Sequence, residues 1–142
     1  MTDRLAIVLD RLLPGDSARG WPAAGALGLA TAVRSLADER GKAAELAASL
    51  ASLPADFDIL PEPRQTDALR QLELAEADAF AQLLVLAYGA YYTDVRVRRV
   101  VETRTAYPAR PPQPEGYALP PFDEKLIETV RQRAPYWRRT GP

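Results

Sequence analysis

The sequence predicts an all-α protein: a compact bundle of about six or seven helices, with a Pro/Tyr-rich extended strap before the C-terminal helix. Three observations carry this prediction. Apolar residues recur at i, i+3, i+4 and i+7 through most of the first hundred positions. Prolines and glycines close one run after another. Only Val95-Arg96-Val97-Arg98 alternates as a strand does, and no second strand lies nearby to pair with it.

The elements follow in order. Thr2 is the expected cap of a first helix over about residues 3–13, with Leu5, Val8, Leu9 and Leu12 on one face and Pro14-Gly15-Asp16 as its stop. Trp21-Pro22 opens a second helix, proline being suited to a first turn. Its apolar stripe is Ala26, Leu29, Ala30, Val33 and Ala37, and Gly25 and Gly28 let another helix approach closely at some cost in propensity. A third helix spans about 40–53, aligning Ala43, Leu46, Ala47 and Leu50, and Pro54 ends it. In the loop 54–62, Phe57, Ile59 and Leu60 are expected to plug the core. A fourth helix covers about 63–73 with Leu69 and Leu72 inward.

The fifth helix, about 75–92, carries Phe80, Leu83, Leu84, Ala87, Tyr88 and Tyr91 in helical register, while Val85, Leu86 and Gly89 make its other side apolar too. A helix apolar nearly all round is buried on both sides, which puts this one at the centre of the bundle. Thr93 or Asp94 caps a short sixth helix, about 94–102. Six prolines between 108 and 121 exclude a regular helix or central strand there, so residues 103–121 are read as a non-helical strap. Asp123 starts a last helix to about 134, with Phe122, Leu126, Ile127 and Val130 inward. The whole, 1–142, is expected to be one domain.

Composition narrows function by exclusion. The chain has neither cysteine nor histidine. The usual ligands of zinc, haem and iron–sulfur sites are therefore missing, and so are Cys–His and Ser–His–Asp catalysis within this chain. Net charge is −1, which makes no global case for nucleic acid or membrane binding. The balance is uneven, however. Residues 1–93 hold 8 basic and 13 acidic side chains, and residues 94–142 hold 10 basic and 6 acidic. A basic last third favours an acidic partner surface, or is simply a solvated arginine fringe. The longest nearly uncharged stretch, Ala79 to Thr93, is too short for a membrane span of ~20 residues. The start Met1-Thr2-Asp3-Arg4-Leu5-Ala6-Ile7 does not read as a signal peptide, so a cytoplasmic location is expected, or a periplasmic one if the chain is exported with a partner.

Motifs with chemical potential have ordinary explanations. The carboxylate pairs Asp56/Asp58, Glu73/Glu76 and Asp123/Glu124 fall in loops or at helix ends, where acids cap and favour the helix dipole. Gly15-Asp16-Ser17-Ala18-Arg19-Gly20 loosely suggests an anion loop, but it lacks the lysine of a P-loop and follows a helix instead of a strand. Arg96, Arg98, Arg99 and Arg104 with Tyr91, Tyr92 and Tyr107 suggest RNA readout, against which stands a pI near 5.5.

Residues 88–138 are the most informative stretch. Five of the six tyrosines lie after residue 90, interleaved with prolines and arginines. Proline fixes an extended chain in advance, and tyrosine, tryptophan and arginine are the usual interface anchors. The strap either meets a partner or crosses the bundle's own core, or does both. As partner contacts we select Tyr92, Tyr107, Arg110, Pro112, Pro114, Tyr117 and Trp137, with no catalytic, cofactor-binding or metal-binding residue. The prolines would fix the strap, the aromatics fill pockets, and Arg110 pair with a partner carboxylate.

At these residues the chain resembles the gluconate 2-dehydrogenase subunit 3 family, small helical accessory subunits of FAD-dependent oxidoreductases of the glucose–methanol–choline type. Tyr91-Tyr92-Thr93-Asp94-Val95-Arg96-Val97 is similar to the family's tyrosine pair, small residue, aspartate and short helix. Pro112-Gln113-Pro114-Glu115-Gly116-Tyr117 is similar to its proline–glycine–tyrosine turn. Leu9-Asp10-Arg11-Leu12-Leu13-Pro14-Gly15-Asp16 resembles its opening helix and acidic loop. Family members commonly begin with a twin-arginine export signal, and the present start has none. The resemblance implies a chain that is not an enzyme by itself. It would bind, stabilise or assemble a large subunit that holds FAD and oxidises a sugar or alcohol. The alternative is a stand-alone helical interaction module, or a homo-oligomer, with no flavoenzyme partner.

Overall fold

Asp3, not Thr2, caps the first helix: its carboxylate accepts the Leu5 backbone N–H at 3.0 Å. The computed structural model describes residues 3–105, 107 and 121–133, and these form seven α-helices and two short 3-10 turns, with no strand among the described residues. The chain divides into two units, Met1–Arg110 and Pro111–Pro142.

In the first unit, α1 (Arg4–Leu12) buries Leu5, Val8 and Leu9 completely. Each such side chain contributes roughly 1.5–3 kcal/mol of transfer free energy. Outside that face, Arg4 reaches the 55–58 turn, donating to Asp58 Oδ1 at 2.8 Å and to the Ala55 carbonyl at 2.9 Å. Asp3 also receives both Nη atoms of Arg34, at 2.7 and 2.8 Å, and this fork holds its carboxyl below the usual range.

The second helix starts later than the sequence predicts. Trp21 is drawn out of helical geometry by a paired backbone exchange with Asp16, 2.8 Å in each direction. The chain then makes turns up to Gly28, which takes a left-handed φ of 71° and ends them. Helix α2 (Ala30–Glu39) follows, with Ala30, Val33 and Ala37 inward as expected. Three polar contacts from three other places pin the irregular segment: Asp10 Oδ1 accepts the Gly25 N–H at 2.8 Å, Tyr91 Oη donates to the Pro22 carbonyl at 2.8 Å, and Arg96 Nη2 donates to the Leu27 carbonyl at 2.8 Å.

Helix α3 (Ala43–Ala51) buries Leu46 and Ser49, and Leu53 beyond its end; the predicted stripe is corrected, because Ala43 and Ala47 are exposed. The Ser49 hydroxyl donates to the Glu45 carbonyl at 3.0 Å, so its burial leaves no unpaired donor. In the turn Phe57–Ile59 only Phe57 plugs the core. Its carbonyl accepts from the buried Gln65 side chain at 3.1 Å. Ile59 is 85% exposed and Leu60 half-buried, since a three-residue turn aims successive side chains in different directions.

Helix α4 (Glu62–Ala75) packs Leu69 and Leu72 inward. Helix α5 (Ala77–Thr93) touches α2, α3, α4 and the following α6, which is the central place the sequence predicts. It is not buried on both sides. Phe80, Leu83, Leu86, Ala87, Ala90 and Tyr91 face the core, whereas Val85 and Tyr88 face solvent. Helix α6 (Val95–Thr105) is helical as expected, runs through residues 103–105 of the anticipated strap, and anchors on the fully buried Val97.

In the second unit, α7 (Lys125–Arg131) is capped by Asp123, whose Oδ1 accepts the Lys125 N–H at 3.0 Å. The predicted inward face is corrected here. Phe122, Leu126 and Val130 are all exposed and Ile127 is half-buried. A lone helix does not bury its own apolar face; burial needs a second element packed against that face.

Candidate functional site

Helix α5 builds the most distinctive surface. Ala81, Val85, Tyr88 and Tyr92 recur at i, i+4, i+7 and i+11, so they share one stripe. All four are exposed, and Val85, Tyr88 and Tyr92 show 47%, 44% and 51% of their surface to solvent. The opposite stripe of the same helix carries the core. The helix is therefore clamped from one side and presents an apolar, aromatic line on the other.

The tyrosines at the C-terminal end of this helix divide the work. Tyr91 is buried, and its hydroxyl is tied to the Pro22 carbonyl; burial pushes its pKa above the usual phenol range. Tyr92 stands outside, with its ring edge-on to Tyr91 at 5.2 Å and tilted against Tyr88 at 6.3 Å. Such pairs favour a fixed ring orientation. Tyr92 is thus a rigid exposed aromatic, which suits a contact residue.

Asp94 then sets the corner between α5 and α6. Its Oδ1 accepts the Arg96 backbone N–H at 2.8 Å, and its carboxylate also takes the Arg96 guanidinium at 2.8 Å. The Arg96 side chain, chiefly, holds Asp94 below the ordinary carboxylate range. This capping is the local reason that Val95–Val97 starts a helix instead of a strand.

Of the residues selected from the sequence, Tyr92 and Tyr107 are exposed, at 51% and 57%. Arg110, Pro112, Pro114, Tyr117 and Trp137 lie outside the described residues. Sequence reasoning missed Val85 and Tyr88 as surface residues, because it placed Tyr88 in the core series and Val85 on a second buried side. The signal that separates them is phase: Ala81, Val85, Tyr88 and Tyr92 form a line about half a turn around the helix from Phe80, Leu83, Leu86, Ala87, Ala90 and Tyr91.

Members of two of the three carboxylate pairs take structural partners. Asp58 binds Arg4 and Asp123 caps α7. A pocket of about 210 Å³ between α2 and α3, lined by Ala37, Ala43, Leu46, Ala47 and Leu50 with Arg34 and Asp38 at its edge, is mostly aliphatic. The Arg34 cation in its lining is engaged by Asp3. Among the described residues, no helix is long and apolar enough to cross a membrane.

No protein-family model matches the chain. No curated protein and no solved structure matches it either.

Proposed function

We propose that this chain acts by binding a protein partner through the Ala81–Val85–Tyr88–Tyr92 stripe of α5. The observation that carries this reading is the exposure of three large apolar side chains, Val85, Tyr88 and Tyr92, along the outer line of the helix at the centre of the bundle. Contiguous apolar surface of this kind marks interaction sites, and tyrosine is favoured there because it gives area at little entropic cost.

The finer reading is a non-catalytic accessory subunit that stabilises or assembles a large FAD-dependent sugar or alcohol dehydrogenase. It is supported by the likeness of residues 9–16, 91–97 and 112–117 to the gluconate 2-dehydrogenase subunit 3 family, and by a composition without cysteine or histidine. FAD would belong to the partner. A cytoplasmic location is part of the proposal and is tested by cell fractionation.

The test is a tagged chain pulled down from its native cell, with the visible absorption spectrum of the co-purifying protein recorded. A large partner with a flavin spectrum, lost when Tyr88→Ala and Tyr92→Ala are combined, is the expected result. A colourless self-oligomer would overturn the accessory-subunit reading and favour the stand-alone module.

A further inference from the structure

A groove of about 350 Å³ lies between the Ser17–Arg19 turn and α6, lined by Arg19, Arg96, Arg99 and Arg104 together with Val100 and Thr103. Among the described residues, no carboxylate lines it. Two of the cations are answered from outside, Arg19 by Asp16 at 3.2 Å and Arg96 by Asp94 at 2.8 Å. Arg99 and Arg104 have no side-chain partner among the described residues. The groove therefore keeps two uncompensated positive charges. All four arginines are exposed, so core packing does not require them there. Converging like charges oppose one another, and an anion between them relieves this.

We propose that this groove docks an extended acidic segment of a protein partner. The inference rests on the binding reading above and adds the chemistry of what is bound. Arg96 and Arg104 are eight residues apart on α6, about 12 Å along its axis. In an extended chain, side chains on one side recur every ~6.8 Å, so carboxylates at alternate positions over about five residues match that length. Guanidinium forks donate to both oxygens of a carboxylate at once, and Val100 gives the stem of such a residue an apolar floor. A short peptide neutralises the groove alone. A nucleic-acid strand would continue past it over a chain whose residues 1–93 hold 13 acidic and only 8 basic side chains.

Each exposed arginine–carboxylate contact strengthens binding only about 1.5- to 5-fold, so the groove orients a partner and speeds its encounter. The test uses the purified full chain and needs no natural partner, so its failure is separable from that of the pull-down. A fluorescein-labelled peptide of alternating Asp and Gly is titrated by fluorescence anisotropy at low ionic strength, against the matching Asn–Gly peptide and a single-stranded DNA of similar length. Wild type is expected to bind the acidic peptide and not the neutral one. Arg99→Gln combined with Arg104→Gln is expected to weaken that binding about tenfold. Arg70→Gln, on α4 and paired with Asp67, is expected to leave it unchanged. Equal binding of the Asn–Gly peptide, tighter binding of the DNA, no detectable binding, or indifference to the double substitution each overturns the proposal. A circular dichroism spectrum unchanged from wild type verifies that the variants are folded.

Discussion

Replacing Gly25 by alanine adds a single methyl group where none fits. A Cβ built there falls 2.5 Å from the Ala6 carbonyl oxygen and against the Asp10 carboxylate. Gly25 does not have a positive φ, so the obstacle is space and not backbone conformation. The carboxylate could rotate away, but Ala6 O is held in the α1 hydrogen-bond ladder and cannot. The segment carrying Gly25 must therefore move off α1. That movement stretches the 2.8 Å bond from the Gly25 N–H to Asp10 and loosens Ala24, which is fully buried beside it. Overpacking costs about 1–3 kcal/mol and loss of a hydrogen bond to a charged group about 1.5–3, with partial relief as the site adjusts. A net loss of roughly 2–4 kcal/mol corresponds to a Tm lower by about 8–16 °C for a helical unit of this size. Thermal and urea unfolding followed by circular dichroism would read it. Combining Gly25→Ala with Asp10→Ala separates the two obstacles: if the Ala6 carbonyl dominates, the second substitution restores nothing. A Gly25→Ala variant melting within about 2 °C of wild type would refute the close approach.

Two further outcomes are expected. Gly89→Ala should leave stability within about 1 kcal/mol of wild type, because its Cβ meets only the flexible Leu36 Cδ2 at 2.9 Å and alanine is the better helix former; a loss above ~2 kcal/mol in urea titration would show that Leu36 cannot yield. Acidification should erode stability below about pH 4. Asp3 and Asp94 have folded pKa values lowered by Arg34 and Arg96, so their contribution is present above the unfolded pKa and is lost as pH falls through the folded one. In the Asp3→Asn, Asp94→Asn double variant the acid limb of the stability curve should flatten, and an unchanged limb would contradict the assignment.

Helical periodicity made most of the bundle legible. Leu5, Val8 and Leu9, Val33 and Ala37, Leu69 and Leu72, and Phe80, Leu83, Ala87 and Tyr91 all point where their spacing says they should, whereas Tyr88 of the same series faces solvent. The break before α2 was not legible, since alanine-rich composition favours helix from residue 23 onward and the Asp16–Trp21 pairing depends on the fold bringing the two together. Ile59, Phe122, Leu126 and Val130 expose a general limit. Spacing shows that apolar side chains share a face, but not that anything covers it. The site divides the same way. Tyr92 and Tyr107 were chosen for residue type and are exposed. The stripe through Val85 and Tyr88 needed the bundle's orientation, and the meeting of Arg19 with Arg99 and Arg104 joins residues about eighty positions apart.

The irregular segment from Pro22 to Leu27 is held by Asp10, Tyr91 and Arg96, each from a different helix. A loop with three such anchors resists proteases as a helix would, because cleavage needs several residues to peel away at once. One of the three anchors, Arg96, also lines the arginine groove. An anion that draws its guanidinium off the Leu27 carbonyl would leave the loop with two anchors. Occupancy of the groove would then be readable at a distance, as faster amide exchange and easier nicking between residues 22 and 28.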